Sequence, residues 1–326
     1  MGARVLLIAD EAAMRRQAGA AISRLGLESQ EARDGLSALT AIETQAKDGR
    51  PFQVVVTDAA LPDFDGAKLL SVIKARHPEI KVVVIAADAS AAEAVESRKG
   101  DGFLAAPFEP ERLATLVSEV ARRSGAAPVP ATTPAAPAAP AAAYLLIEPG
   151  KGQEPWKLLG RLKGLPEAAY CDAVRDERFG MVMLLRGKSP AAVSACARGL
   201  LDANPEVASW ELLEARAPDL SGELRGYVEA YDREVTGERR VRRNVERDAS
   251  YVLVDVHPQH LAGLYVRLYF LDEVVEIDAL ASGRQLMLLA QGRDFAALRR
   301  MLDERVRPQE GVMRVRELKV VPFARG

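Results

Sequence analysis

Unbroken apolar runs alternate with stripes at helical spacing through the first 120 residues. "RVLLIA" (4–9), "QVVVT" (53–57), "KVVVIA" (81–86) and "GFLAA" (102–106) are short and almost wholly apolar. That is the pattern of strands covered on both faces of a parallel sheet. Between and after them come three stripes: Met14, Ala18, Ile22 and Leu25; Leu69, Ile73 and Arg76; Leu113, Leu116, Val117 and Val120. Each recurs every three or four positions and marks a helix. Strand–helix alternation over this length predicts a doubly wound α/β sheet, whose ligands sit at the carboxyl ends of the strands. Asp10, Glu11, Asp58, Ala86, Ala87 and Ala106 all fall at those ends.

The pattern breaks at "GAAPVPATTPAAPAAPAAA" (125–143), where prolines recur too often for a helix and nothing can build a core. This reads as an extended Ala/Pro linker. Beyond it the chain repeats itself. "YLLIEPG" (144–150) matches "YVLVDVHP" (251–258), and the segment 181–215 matches 285–321. The first copy predicts a helix around Trp156–Leu165, strands at Ala169–Val174 and Met181–Leu185, a helix striped by Val193, Cys196, Ala197, Leu200 and Leu201, and a strand near Ser209–Leu213. In the second, Leu261, Leu264, Tyr265, Leu268 and Tyr269 form the first helical stripe. Each copy thus reads β-α-β-β-α-β, the ferredoxin-like order. Two helices cover one face of such a sheet; the other needs a partner, which the second copy can supply. The organisation expected is a domain at 1–124, the linker, one ferredoxin-like unit at 144–215, a charged helical connector at 216–250 and a second unit at 251–326.

Within the connector, Leu224, Tyr227, Val228, Tyr231 and Val235 make a helical stripe, followed by "RRVRRNVER" (239–247). Such a basic cluster can grip phosphates, but Glu229, Glu234 and Glu238 lie nearby and favour a solvated, paired connector.

Charge excludes more than it proposes. The net of −2 resides in residues 1–124; in the remainder acids and bases balance, so neither part has the basic excess of an autonomous nucleic-acid binder. No apolar run approaches the roughly 18–20 residues of a membrane span. The start "MGARVLLIADE" enters a strand directly, and Cys171 and Cys196 read as free thiols of a reducing compartment. A cytoplasmic protein is expected. His77, His257 and His260 have no companions at zinc-ligand spacing.

The stretch "VVVTDAALPDFDG" (54–66) carries the candidate chemistry. A strand delivers Asp58 into a loop closed by Pro62 and by Asp65-Gly66. Phosphoryl transfer to a carboxylate needs an exposed acceptor, a cation to offset clustered negative charge, and donors on the phosphoryl oxygens. Asp10, Glu11 and Asp58 offer oxygen ligands for Mg²⁺. The competing reading is that Asp10 and Glu11 merely cap the helix that follows.

In order and spacing, "LLIADE", "DAALPDFDG", "VVVIAAD" and "LAAPFEP" resemble the receiver domain of two-component response regulators, whose fold is flavodoxin-like. The resemblance covers all of residues 1–124. It implies that Asp58 is the phosphoacceptor, that Asp10 ligates the metal directly with the backbone carbonyl of Ala60, and that Glu11 is the acid that commonly follows. It also exposes departures. Ala9 stands where the family carries the first of two adjacent acids, Ala86 where it carries a switch threonine or serine, and Ala106 where it carries a lysine; the switch aromatic remains, as Phe103. A charge-assisted hydrogen bond contributes roughly 1.5–3 kcal/mol, so loss of the lysine alone would slow transfer by about ten- to 150-fold. The resemblance therefore implies a degenerate receiver, with Mg²⁺ weakly held.

The two later units resemble, on "AYLLIEPG" and "VMLLRGKSP…LLDANPEVASWELL", the ligand-binding and oligomerisation domain of Lrp/AsnC-type regulators; the ACT domain has the same strand order. The family's acidic effector turn reads "DERFGM" (176–181) and "ASGRQL" (281–286) here, which argues against a small-molecule effector. No helix-turn-helix pattern precedes either unit. The expectation is a non-enzymatic signalling adaptor that works by protein–protein contact, with a sensor kinase or signalling protein as partner and the tandem units as pseudo-dimer or homo-oligomerisation platform. The alternatives are a response regulator switched at Asp58 and an amino-acid-sensing transcription regulator.

Overall fold

The computed structural model describes residues 3–87, 90–123, 141–162, 165–235, 243–244 and 246–321. Two compact units divide the chain: residues 1–136 with 220–240, and residues 137–219 with 241–326.

The first unit is built on a five-stranded parallel sheet of β1 (Arg4–Ile8), β2 (Glu28–Ala32), β3 (Val54–Asp58), β4 (Lys81–Ala86) and β5 (Gly102–Ala105), in the order β2-β1-β3-β4-β5. The helices are α1 (Ala12–Arg24), α2 (Gly35–Lys47), α3 (Gly66–Arg76), α4 (Ser90–Ser97) and α5 (Pro110–Arg122). Val5, Leu7, Val54, Val56, Val83 and Ile85 of the sheet bury against Ile22 of α1 and Leu113 and Val117 of α5. Continuous apolar runs belong to strands covered on both faces, and the three inner strands β1, β3 and β4 obey this. Strand β2, "ESQEA", has no such run, because it is the sheet's outer edge and much of it is exposed. Hydrophobic pattern alone therefore missed it, together with α2 and α4. Helix α2 did carry a start signal: Asp34 caps it by accepting from the Ser37 amide at 2.8 Å.

The second unit is a closed eight-stranded antiparallel barrel. Its first half contains β6 (Ala141–Pro149), α6 (Pro155–Leu162), β7 (Ala168–Arg175), β8 (Met181–Gly187), α7 (Pro190–Asp202) and β9 (Val207–Arg216). Strand β6 begins three residues inside the stretch read as linker; the rest of that stretch lies outside the described residues. After helix α8 (Gly222–Val235), the second half contains β10 (Asp248–Val256), α9 (Leu261–Tyr269), β11 (Val274–Leu280), β12 (Gln285–Gly292), α10 (Phe295–Met301) and β13 (Val312–Val320). The strand order around the barrel is β10-β12-β11-β9-β6-β8-β7-β13.

The halves meet along two short seams. Ala279 and Leu280 of β11 pair with Arg216 and Ala215 of β9, and Lys319 and Val320 of β13 pair with Arg175 and Val174 of β7. Closure removes sheet edges that would otherwise template further pairing. It also creates one interior from both inner faces: Tyr144, Leu146, Val182 and Leu184 from the first half cluster with Tyr251, Val275, Met287 and Leu289 from the second. The outer face of the first half buries Leu145, Ile147, Met183 and Leu185 under Leu158 and Leu159 of α6 and Val193 of α7. The sheet face that the helices leave open is thus covered by the other half.

Two tyrosines at matching positions key the halves together. The Tyr144 hydroxyl on β6 donates to Asp278 of β11 at 2.6 Å, and the Tyr251 hydroxyl on β10 donates to Asp172 of β7 at 2.8 Å. Each bond crosses from one half to the other. The two rings meet edge to face, centroids 6.4 Å apart. Burial, then the charge of the facing aspartate, pushes both phenols well above their ordinary value, so they stay protonated donors. Arg243, from the basic stretch of the connector, also ion-pairs with Asp172; residues 239–242 and 245 of that stretch lie outside the described residues.

Helix α8 does not belong to the barrel unit. Although its sequence joins the barrel's two halves, it packs on α2 and α3 of the first unit.

Candidate functional site at the carboxyl edge of the parallel sheet

Asp58 ends the central strand β3 and is half-buried, flanked by β1 and β4. Its loop is tightly organised. The Asp58 Oδ1 accepts from the Ala60 amide at 3.0 Å. The Ala59 amide donates to the Ile85 carbonyl at 2.7 Å, and the Gly66 amide to the Ala59 carbonyl at 2.8 Å. A Cβ on Gly66 would stand 2.2 Å from the Asp58 carbonyl oxygen, so only glycine lets α3 start this close to the acceptor strand. Asp65 then caps α3, accepting from the Lys68 amide at 3.1 Å.

Asp63, which pattern reading passed over, is the loop's anchor. Its carboxylate is buried and accepts from the Gly35 and Leu36 amides at 2.8 and 2.9 Å, at the start of α2. An anion at a helix N-terminus satisfies otherwise orphan donors. Phe64 beside it packs so closely on Gly35 that a Cβ there would lie 2.5 Å from the ring. The acid between Pro62 and Phe64 was the available signal, but nothing local to it says which amides it will meet.

The predicted positions Ala9, Ala86, Phe103 and Ala106 all carry hydrocarbon side chains. Ala9 is fully buried at the end of β1, and Ala86 is buried at the end of β4. Ala106 follows β5, donates its amide to the Ala86 carbonyl at 2.8 Å, and precedes a cis bond to Pro107. Phe103 is half-buried on β5, along a shallow surface concavity shared with Glu111, Arg112, Thr115, Leu116 and Glu119 of α5.

Two readings of Asp10 and Glu11 meet the structure here. The first is the Mg²⁺ cluster. Asp10 and Glu11 are exposed, and among the described residues no three acids, histidines or cysteines are grouped to hold a metal. Asp58 is turned onto the Ala60 amide, while the β1–α1 turn is held by Arg15. That buried guanidinium donates to the Ala9 and Asp10 carbonyls at 2.6 and 2.7 Å and pairs with Glu31 at 3.2 Å. The three carboxylates are therefore not grouped as placed here. The second is the competing capping reading: Glu11 occupies the N-cap of α1, without a side-chain hydrogen bond to it.

A second polar group lies away from Asp58, under α8. Glu43 of α2 is buried, and its Oε1 accepts from Arg76 Nε at 3.0 Å and faces His77 Nε2 at 2.8 Å. His77 Nδ1 faces Glu79 Oε1 at 3.3 Å. Burial alone would push the imidazole down, but the bonds to Glu43 and Glu79 outweigh it and hold it above its ordinary value. Burial likewise opposes Glu43 and Glu79, and the bonds to His77 prevail and lower both.

Comparison with known proteins locates the resemblance. Residues 5–118 match the response regulator receiver domain family. Over 120 residues the chain is 34% identical to the sensor kinase CckA of Brucella abortus, covering 36% of this chain and 12% of that protein. It is 32% identical over 205 residues to the DNA-binding transcriptional regulator NtrC of Azospirillum brasilense, covering 62% and 38%. With the chemotaxis protein CheY of Thermotoga maritima it shares 29% identity over 125 residues, 37% of this chain and all of that protein. The chain thus spans only 12% and 24% of the first two curated relatives it matches. Among solved structures, NtrX from Brucella abortus is 32% identical over 38% of this chain and 28% of that chain, with a TM-score of 0.34.

Proposed function

We propose that this chain, whose residues 5–118 are a response regulator receiver domain, is a non-enzymatic signalling adaptor of two-component type. In this reading the receiver is degenerate and acts by protein–protein contact. The observation that carries it is the composition of the strand ends: Asp58 keeps its loop, while Ala86 at the end of β4 and Ala106 just after β5 offer a methyl group each. An incoming phosphoryl group would bring negative charge that neither a hydroxyl nor an ammonium at those two positions meets. The absence of a ready metal group among the described residues points the same way. Asp10, Asp58 and the Ala60 carbonyl would have to reorient to hold Mg²⁺, so its binding would be weak.

The barrel halves are read as two ferredoxin-like units joined into an intramolecular pseudo-dimer, a platform for partners or further assembly in the cytoplasm. A sensor kinase or another signalling protein is the partner class that a receiver implies.

The test is labelling of the full chain with radioactive acetyl phosphate in Mg²⁺, beside an ordinary receiver. Slow, substoichiometric labelling supports the adaptor. Rapid stoichiometric labelling that Asp58→Asn abolishes would establish the second reading, a switch phosphorylated at Asp58, which the acceptor's position at the open end of β3 favours.

A further inference from the structure

Helix α8 is linked by sequence to both halves of the barrel, yet it is part of the receiver's compact unit. Its grip is specific. Gly226 lies against Arg76, where a Cβ would meet the guanidinium at 2.9 Å. Tyr227 is fully buried, its ring 5.8 Å from that of His77, and its hydroxyl has no hydrogen-bond partner among the described residues. At the edges Glu223 ion-pairs with Lys47 of α2, and Lys68 of α3 lies 5.0 Å over the Tyr231 ring.

Beneath Tyr227, both ring nitrogens of His77 face carboxylate oxygens. A neutral imidazole has one N–H; only the imidazolium has two. The neutral ring would aim a lone pair at Glu43 or Glu79, in a largely buried setting beside Tyr227. That arrangement is costly in a buried setting. The imidazolium satisfies both carboxylates, with the Tyr227 ring tilted against it at 5.8 Å between centroids. The protonated cluster is thus the form that tolerates being covered by α8.

We infer that the Glu43–Arg76–His77 cluster on α2 and α3 is a proton-operated clamp, and that its intramolecular partner is helix α8. The groups facing His77 are Glu43 of α2, Arg76 of α3, Glu79 just beyond it and Tyr227 of α8; Lys74 of α3 adds its charge at Glu79. The sign follows from the imidazole. Only the imidazolium donates to both carboxylates, so the clamp is closed while His77 is protonated and loosens as rising pH removes that proton; the bonds to Glu43 and Glu79, against burial, hold the imidazole above its ordinary value. The two glutamates, lowered from 4.5, open it again only in acid.

The test is amide hydrogen exchange of the full chain, expressed as protection factors for residues 222–231 so that the chemical pH dependence divides out. Protection of α8 should fall about tenfold between about pH 6 and pH 9, one pKa unit of linkage, and His77→Gln should be low and flat across that range. Because His77→Gln also removes the imidazole bonds to Glu43 and Glu79 within the receiver, a second variant leaves the cluster intact. Gly226→Leu drives a side chain into Arg76 and lifts α8, and by reciprocity the His77 titration followed by NMR should move down by about one unit. Equal protection at both pH values, pH dependence that survives in His77→Gln, or an unmoved His77 titration in Gly226→Leu would overturn the clamp.

Discussion

Leu289→Ala tests whether the barrel is one folding body. Leu289 is fully buried on β12, in the second half, yet it belongs to an interior cluster to which the first half contributes Tyr144, Leu146, Val182 and Leu184. Truncation removes three carbons from a site with no solvent on any side. Large-to-small changes of this kind cost about 2–5 kcal/mol, the transfer of the lost methyl groups plus the cavity they leave. Taking about 3 kcal/mol, and a urea slope of roughly 3 kcal/mol per M, the midpoint should fall by about 1 M. The chain provides its own reporter. Its two tryptophans, Trp156 and Trp210, both lie in the first half of the barrel and neither in the receiver. Tryptophan fluorescence of the full chain in urea therefore reads the half that does not contain the substitution. If the halves share one core, that signal should shift with the mutation. The reasoning is wrong if the tryptophan midpoint stays where it is in the unmodified chain while far-ultraviolet circular dichroism shows a separate, earlier loss of structure.

The same barrel offers a polar counterpart. Tyr251→Phe should cost about 1.5–3 kcal/mol in the same urea assay, because it removes one charge-assisted bond from Asp172. Asp172→Ala should cost more, about 3–5 kcal/mol, because it also strands Arg243 and leaves the Tyr251 hydroxyl unpaired. In the receiver, Gly66→Ala should destabilise by about 1–3 kcal/mol or more, since its Cβ meets the backbone of Asp58; a thermal midpoint equal to that of the unmodified chain would show that the α3 junction yields. Ala106→Lys should raise acetyl-phosphate labelling of Asp58 by roughly ten- to 150-fold, the worth of one charge-assisted bond. Unchanged labelling would mean that the missing lysine is not what limits transfer.

Much of this was legible before any coordinates. The buried strands β1, β3 and β4 announce themselves because a strand covered on both faces has no polar positions to interrupt its run, and the edge strand β5 shares their apolar composition. Asp58 and its glycine-closed loop are local features, and the doubled β-α-β-β-α-β order reads from the repeat of Tyr144 at Tyr251. Strand β2 escaped because a sheet edge tolerates Glu28, Ser29 and Glu31 in solvent.

What tertiary structure decided is which distant groups meet. Asp10 and Glu11 lie near Asp58 in any strand-end diagram, but their side chains do not gather with it, because the chain turns about Arg15 and Asp58 settles on the Ala60 amide. Asp63 finds the first amides of α2 across 28 residues of chain. The seams Ala279–Arg216 and Val320–Val174 turn two open sheets into one barrel, an outcome that depends on how far each sheet twists and coils and not on any single residue. Helix α8 shows the limit most plainly. Its stripe of Leu224, Tyr227 and Tyr231 declares a face to be buried, but periodicity carries no address. Only the fold places Gly226 against Arg76 and Tyr227 beside His77, because complementarity of that kind exists between surfaces and is written in neither segment alone.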